Sequence, residues 1–129
     1  MNASRELRSG ALAVGVDLVE IRRVAALAQR YGERFTGRVF TPAECADCGN
    51  RPESLAARWA AKEAVVKALG AGFGPVRYRD IELLRECAGQ PELHLHGKAR
   101  ALAEARGLSS WAVSISHDGA YAIALVVAT

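Results

Sequence analysis

The first regular pattern along the chain is an alternation of side chains over residues 11–19. Every second residue from Leu12 to Leu18 is large and apolar, and the positions between them carry Ala13, Gly15, Asp17 and Val19. A repeat of two residues predicts a β-strand with two different faces. Asp17 is the only charged residue in this apolar stretch.

The next segment has the period of an amphipathic helix and predicts a helix over residues 20–34. Its apolar residues share one face. Arg30 and Arg34 follow Arg23 by seven and eleven residues, so the three lie within about 40° of one another on a different face. We expect this arginine stripe to reach solvent or a partner, because the apolar side faces the core.

Capping signals mark the following helices. Thr41 and Glu44, with a proline between them, form a capping box and predict a short helix. Residues 47–54 are typical of a loop. A central helix is predicted over residues 55–69, and Gly70 is a suitable residue to end it.

The second half of the chain is richer in strand patterns. Residues 81–86 and 92–96 predict two strands, and residues 98–106 predict a helix. Two apolar runs flank Asp118-Gly119, a sequence that favours a type I′ hairpin turn. A two-residue turn there pairs Ile115 with Ala122 and Ser114 with Ile123. Both faces of the hairpin are largely apolar, so we expect it to be central to the core.

These elements predict an α+β fold in which helices pack on a mainly antiparallel sheet. The 129 residues are 50% hydrophobic and 24% charged, which is ordinary for one globular domain. No apolar run reaches the ~18 residues of a membrane span, and the N-terminus lacks a signal-peptide core. We therefore expect a flexible segment over residues 1–10, one domain over residues 11–129, a cytoplasmic location and no membrane contact.

The net charge of +3 suits an anionic partner without identifying it. Cys45 and Cys48 form a C-x-x-C pair and Cys87 stands alone. No second pair completes a zinc site, so we interpret the three as free thiols.

Charged residues interrupt a central helix that is apolar nearly all round. They are Arg58, Lys62, Glu63 and Lys67. Burying charges is costly unless something binds them, which favours a site. The alternative for Glu63 and Lys67 is an ordinary salt bridge one turn apart. Asp17 has the same two interpretations: a turn or cap residue, or half of a carboxylate pair for a hard cation such as Mg²⁺.

His117 ends a predicted strand next to a tight turn. On its own it is more typical of a histidine at the sheet rim than of a phosphate ligand or proton carrier.

Three motifs together carry a family resemblance. They are Val14-Gly-Val-Asp-Leu-Val-Glu-Ile-Arg-Arg-Val24, Ala57-Arg-Trp-Ala-Ala-Lys-Glu-Ala-Val-Val-Lys-Ala-Leu-Gly70 and Val113-Ser-Ile-Ser-His117. In order, spacing and chain length they resemble the holo-acyl-carrier-protein synthases, the small bacterial 4′-phosphopantetheinyl transferases. The resemblance covers about residues 12–128, and it implies the fold of that family.

The resemblance also implies an activity and roles for particular residues. The reaction moves the phosphopantetheine arm of coenzyme A to a serine of an acidic acyl carrier protein. Asp17 and Glu63 match the ligands of a Mg²⁺ ion, with Mn²⁺ as an alternative, and Glu63 and Lys67 match catalytic positions. The base that activates the serine stays open between Glu63 and a metal-bound hydroxide.

Binding roles follow in the same way. Coenzyme A contacts are implied for Arg58, Lys62, Lys67, Ser116 and His117. Arg23 matches a position that docks the carrier protein, and we extend that role to Arg30 and Arg34 on the same stripe. A homotrimer with active sites between subunits is implied as well.

Two other functions remain as alternatives. A small basic nucleic-acid-binding module would use the arginine stripe on phosphates, but it leaves Asp17 and Glu63 unexplained, so we expect no nucleic-acid partner. A catalytically silent relative that only binds carrier proteins would not need Asp17, Glu63 and Lys67. The type of carrier protein and the use of acylated coenzyme A are not readable from the sequence.

Overall fold

The computed structural model describes residues 12–70, 76–85 and 89–129. In those residues strands β1 to β5 span Ala13–Glu20, Ile81–Arg85, Pro91–Leu95, Trp111–Asp118 and Tyr121–Ala128. Helices α1 to α5 span Ile21–Tyr31, Glu33–Val39, Pro42–Cys48, Pro52–Leu69 and Gly97–Ala105. A short 3₁₀ turn, Tyr78–Asp80, precedes β2.

Two antiparallel sheets confirm the α+β prediction. The larger has the order β1-β5-β4, and the smaller pairs β2 with β3. In the larger sheet Ala124 of β5 lies between Asp17 of β1 and Ile115 of β4. Strand β5 is therefore the central strand of this sheet and lies between β1 and β4.

The predicted hairpin register is wrong by two residues. Asp118 pairs with Tyr121, so the turn consists of Gly119 and Ala120, and Ile115 lies opposite Ala124. Gly119 has a φ of 58°, whereas Ala120 is not among the positive-φ residues. That is the pattern of a type II′ turn, which takes glycine at its first central position. A shift of two residues keeps every side chain on its predicted face.

Helix α4 packs on one face of the larger sheet through small side chains. Ala60, Ala61 and Ala64 are fully buried, as are Ala122 and Ala124 on β5. A Cβ on Gly15 would lie 1.8 Å from the carbonyl oxygen of Ala64, so this position of β1 accepts only glycine. Asp17 shares the strand face of Gly15, and the close packing brings its carboxylate against α4.

The other face of this sheet is apolar and exposed, which corrects the expectation that both hairpin faces are covered. The side chains on it that exceed 40% exposure are Leu12, Val14, Val16, Leu18, Tyr121, Ile123 and Leu125. Apolar side chains lined up on neighbouring strands mark a surface that binds another molecule.

The predicted helix over residues 20–34 is two helices. Helix α1 ends at Tyr31 and α2 begins at Glu33, and Gly32 between them has a φ of 56°. That φ ends the helix because side chains other than glycine rarely adopt it. The sequence pattern missed the break at Gly32 and the part of α2 that follows Arg34.

Other helix predictions are confirmed with small changes. Thr41 and Glu44 form both hydrogen bonds of the capping box. Helix α4 begins at Pro52, so the predicted loop over residues 47–54 shortens to residues 49–51. Three predictions lie outside the described residues: the flexible segment over residues 1–10, the end of the predicted strand at Glu86, and the free thiol of Cys87. Among the described helices, none is long and apolar enough to cross a membrane.

Candidate active site

A pocket beside the larger sheet brings together residues from four elements. Its lining comprises Asp17, Leu18, Val19, Arg23, Trp59, Glu63 and Tyr78. The strand β1 supplies Asp17, helix α4 supplies Glu63, and the 3₁₀ turn supplies Tyr78. The two carboxylates that the sequence singled out therefore share one pocket, although 46 positions separate them in the chain.

Lys67 pairs with Asp17 rather than with Glu63. Its Nζ donates to Asp17 Oδ1 at 2.9 Å and to the carbonyl oxygen of Val16 at 3.0 Å. The side chain of Lys67 is 54% exposed and that of Asp17 17%. The ion pair lies at the surface, where such pairs contribute about 0–1 kcal/mol, and the ordinary i,i+4 interpretation of Glu63 and Lys67 is wrong.

Glu63 is held by a neighbour that the sequence did not reveal. Tyr78 donates its hydroxyl hydrogen to Glu63 Oε1 at 2.5 Å. The Tyr78 ring also meets the edge of Trp59, with centroids 6.2 Å apart. Burial, followed by the hydrogen bond to Glu63, raises the pKa of Tyr78, so the phenol remains a donor at neutral pH.

The donor set suits a hard divalent cation completed by other ligands. Each carboxylate has one oxygen engaged, by Lys67 at Asp17 and by Tyr78 at Glu63, which leaves Oδ2 and Oε2 as ligands. No group of three or more His, Cys, Asp or Glu residues with metal-binding geometry occurs in the part of the chain that the structure describes. Mg²⁺ is ordinarily held by one or two carboxylates plus substrate phosphates, and two carboxylates on a pocket fit that pattern.

Arg58 and Lys62 lie away from this pocket, and their predicted contact with coenzyme A stays a prediction. Both are buried, with 2% and 0% of the residue exposed. Arg58 Nε donates to the carbonyl oxygen of Leu83 at 3.1 Å, and its guanidinium lies 3.6 Å from Asp47. They point away from solvent because α4 is covered on this side by α3 and β2.

Lys62 has a complete set of protein partners. Its Nζ donates to Glu44 Oε1 at 2.7 Å, to the carbonyl oxygen of Tyr78 at 3.0 Å and to that of Ile81. Glu44 is itself fully buried and also accepts from the backbone N–H of Leu83 at 2.9 Å. Burial lowers the pKa of Lys62, and the neighbouring Glu44 opposes that shift. This pair links α3, α4 and β2.

Only two of the three arginines of the predicted stripe lie on the same helix. Arg23 and Arg30 are exposed on α1, and Arg34 lies on α2, so the helical-wheel argument does not apply to it. The Arg23 guanidinium lies 5.3 Å from the ring centroid of Trp59, on the pocket wall, and that of Arg30 lies 5.3 Å from the ring of Tyr31. A positive charge therefore borders the carboxylate pocket.

His117 and Ser116 are exposed on β4, an edge strand of the larger sheet among the described residues. Adjacent residues of a strand point to opposite faces. His117 shares the face of Asp17, whereas Ser116 lies opposite Ile123 on the exposed apolar face. The two side chains therefore do not line one surface of a single chain.

Neither of the two described cysteines lines the pocket. Cys45 and Cys48 are free thiols, and burial raises the pKa of both, that of Cys48 to about 11. Such thiols stay protonated at neutral pH and are weak nucleophiles. Their interpretation as free thiols is confirmed, and Cys87 lies outside the described residues.

The sequence did not reveal the hydrogen bond of Tyr78 to Glu63 or the pairing of Glu44 with Lys62. Glu44 was recognised as a helix cap, but a cap carries no sign that its carboxylate also meets Lys62. Tyr78 stands between a glycine-rich loop and a strand, outside any periodic pattern. An aromatic residue of that kind is normally taken as core.

Comparison with known proteins gives the same family throughout. Residues 13–126 match the family model described as the 4′-phosphopantetheinyl transferase superfamily. The chain is 47% identical to a holo-[acyl-carrier-protein] synthase of Herpetosiphon aurantiacus, over 90% of this chain and 97% of the relative. It is 50% identical to a holo-[acyl-carrier-protein] synthase of Dehalococcoides mccartyi, over 91% and 98%. The fold resembles the crystal structure of the Helicobacter pylori holo-[acyl-carrier-protein] synthase in complex with coenzyme A, with a TM-score of 0.82, 32% identity, and coverage of 90% and 99%.

Proposed function

The chain belongs to the 4′-phosphopantetheinyl transferase superfamily, and we propose that it transfers the 4′-phosphopantetheine group of coenzyme A to a serine of an apo-acyl carrier protein. Adenosine 3′,5′-bisphosphate is the second product. The observation that carries the proposal is the pocket that both Asp17 and Glu63 line. Lys67 forms a hydrogen bond with Asp17 at the edge of this pocket. Neither alternative explains that arrangement, since a nucleic-acid-binding module or a silent carrier-protein binder needs no carboxylate pair.

In this reaction the serine Oγ attacks the phosphorus that bears pantetheine, and the bond from that phosphorus to the bridging oxygen breaks. Asp17 and Glu63 would hold a Mg²⁺ ion, or Mn²⁺ in its place. When bound, the cation neutralises charge on the two phosphates of coenzyme A. Glu63 is a candidate to accept the serine proton, because its carboxylate lines the pocket.

Lys67 is placed to act on the leaving phosphate. Its ammonium group lies beside Asp17 and is more than half exposed, so it can turn to a phosphate bound at the pocket edge. Negative charge grows on the leaving oxygen as the bond breaks, and a positioned ammonium stabilises that charge most in the transition state. Lys67 could also donate the proton that the leaving phosphate takes up.

The carrier protein is proposed to dock on α1. Arg23 and Arg30 are exposed on one side of this helix, and Arg23 borders the pocket. An acidic partner would be steered to this side by charge and would arrive with its serine near the carboxylates. Arg34, on α2, adds charge nearby without sharing the helical face.

We propose a homotrimer, as the family resemblance implies, and the exposed apolar sheet face is the surface available for contact between subunits. Leu12 and Leu18 at its two ends are 64% and 58% exposed, an unfavourable state for a chain on its own. Ser116 lies on that face and His117 on the other. A coenzyme A site that uses both residues would be assembled between neighbouring subunits, since a single chain places Ser116 and His117 on opposite faces of the sheet.

A cytoplasmic location stays a prediction.

Mass spectrometry of an apo-acyl carrier protein tests the function directly. Incubation with the enzyme, coenzyme A and Mg²⁺ should add one phosphopantetheine group, and a carrier with its target serine replaced by alanine should stay unmodified. Addition of EDTA in place of Mg²⁺ tests the cation separately. No mass gain on any fatty-acid or polyketide carrier protein, together with retention on heparin or DNA, would reverse the conclusion in favour of the nucleic-acid-binding alternative.

A further inference from the structure

Two successive residues of α4 form hydrogen bonds with Tyr78, one with its backbone and one with its side chain. Lys62 Nζ donates to its backbone carbonyl oxygen at 3.0 Å, and Glu63 Oε1 accepts its hydroxyl hydrogen at 2.5 Å. Neighbouring residues of a helix point about 100° apart, so Lys62 reaches the closed side and Glu63 the open pocket. The 3₁₀ turn that carries Tyr78 is thereby fixed relative to the carboxylate.

The ring of Tyr78 is also confined by aromatic neighbours. It meets Trp59 at an interplanar angle of 88°, and Trp59 in turn meets Phe35 with centroids 5.4 Å apart. The Arg23 guanidinium lies 5.3 Å from the centroid of the Trp59 ring. The hydroxyl of Tyr78 is directed at Glu63 Oε1.

We propose that Tyr78 is a positioning residue that holds Glu63 Oε1 so that Oε2 is presented to a divalent cation. The inference depends on the proposed cation site at Asp17 and Glu63, and it adds a residue to that site rather than a new ligand. A glutamate side chain has several rotamers, and holding it in one of them costs conformational entropy. A hydrogen bond that is already formed in the free protein offsets this cost before a cation binds. Residues that hydrogen-bond to metal ligands typically change metal affinity or activity by about 10–100-fold when removed.

Substitution of the hydroxyl alone separates positioning from folding. In Tyr78→Phe the backbone carbonyl that Lys62 holds is unchanged, and the ring can keep its contact with Trp59. Tyr31→Phe is the matched control, because it removes a phenol from α1 that has no hydrogen bond to Glu63 in the structure.

Titration with Mn²⁺, with free Mn²⁺ followed by electron paramagnetic resonance in the presence of coenzyme A, gives the affinity itself. We expect Tyr78→Phe to weaken Mn²⁺ binding about 10-fold, with kcat recovered to within about threefold of the wild type at saturating metal. Tyr31→Phe should bind Mn²⁺ like the wild type. Thermal unfolding of both variants serves as the measure of folding.

The outcomes distinguish this inference from the function on which it depends. A wild type that binds Mn²⁺ and a Glu63→Ala variant that does not, with Tyr78→Phe equal to the wild type, overturn the role of Tyr78 and leave the cation site intact. A wild type that binds no Mn²⁺, or a Glu63→Ala variant that binds it equally well, overturns both. If Tyr78→Phe unfolds at a much lower temperature while the Mn²⁺ affinity of its folded fraction stays at the wild-type value, the residue is structural and the inference is wrong.

Discussion

Lys62 and Glu63 are adjacent in the sequence and on the same helix, yet they belong to two different environments. Lys62 is fully buried among Glu44 and two backbone carbonyl groups, whereas Glu63 borders an open pocket with Tyr78 as its hydrogen-bond donor. On the Lys62 side, α3 and β2 close over α4. On the Glu63 side, β1 and α1 leave room for a ligand.

The difference teaches that one short motif can carry, side by side, a charge satisfied by protein partners and a charge that faces an open pocket. A charge in a protein interior is tolerated only when its hydrogen bonds are satisfied, and the Lys62 side has every partner it needs. The Glu63 side keeps one carboxylate oxygen of each acid for something else. Removing charge from the two sides should therefore harm different properties, folding in one case and transfer in the other.

The largest effect is expected on the open side. Glu63→Gln and Asp17→Asn each keep the size of the side chain and remove the negative charge of a proposed cation ligand. The transfer rate should fall by about 10⁴-fold or more, equivalent to roughly 5.5 kcal/mol, while the folded structure remains. The rate is measured by release of adenosine 3′,5′-bisphosphate at saturating Mg²⁺. A variant that retains near-normal transfer removes its residue from the cation site.

On the closed side, removal of a charge should lower the free energy of unfolding. Lys62→Met leaves the Glu44 carboxylate buried without its cation, and we expect a loss of about 3–5 kcal/mol in the free energy of unfolding. Urea denaturation at a fixed protein concentration measures it. Lys67→Met is the matched control and should cost less than about 1 kcal/mol, since its ion pair is at the surface.

The double variant Glu44→Gln/Lys62→Met sharpens this comparison. It removes both buried charges, so it should recover part of the stability that Lys62→Met loses. If Lys62→Met were as stable as the wild type but unable to use coenzyme A, that result would support a coenzyme A contact of Lys62 and would require the closed side to open.

Lys67 tests the edge of the open side, where it pairs with Asp17. Lys67→Ala should lower kcat by about 100-fold, because its charge matters most as the leaving phosphate gains charge. Steady-state kinetics with coenzyme A varied separates kcat from KM. An effect confined to the KM for coenzyme A would instead show ground-state binding.

The smallest effect is expected at the arginines of α1. The charge reversal Arg23→Glu/Arg30→Glu should raise the KM for the carrier protein about 10-fold and leave that for coenzyme A nearly unchanged. The wild-type KM for the carrier should climb with salt as the Debye length falls from about 10 Å towards about 3 Å. Arg100→Glu/Arg106→Glu, also exposed, is the matched control. Equal carrier KM values in both double variants would leave the α1 arginines as ordinary surface.

Most of the fold could be predicted because its signals are local. The strand alternation around Asp17, the capping box of Thr41 and Glu44 and the apolar surface of α4 each depend on residues a few positions apart. The family resemblance added Asp17, Glu63 and Lys67 as a group, and the structure places Asp17 and Glu63 on one pocket with Lys67 bonded to Asp17. Arg34 was misplaced because a single glycine divided the helix that carried the argument.

What the sequence determined by itself is therefore the set of elements, the faces of the strands and the residue types available for chemistry. The tertiary structure decided the partners. It paired Lys67 with Asp17 instead of Glu63, enclosed Lys62 with Glu44 and brought Tyr78 to Glu63. The physical reason is that periodicity and capping are set by neighbours along the chain, whereas burial and hydrogen-bond partners depend on which distant segments pack together.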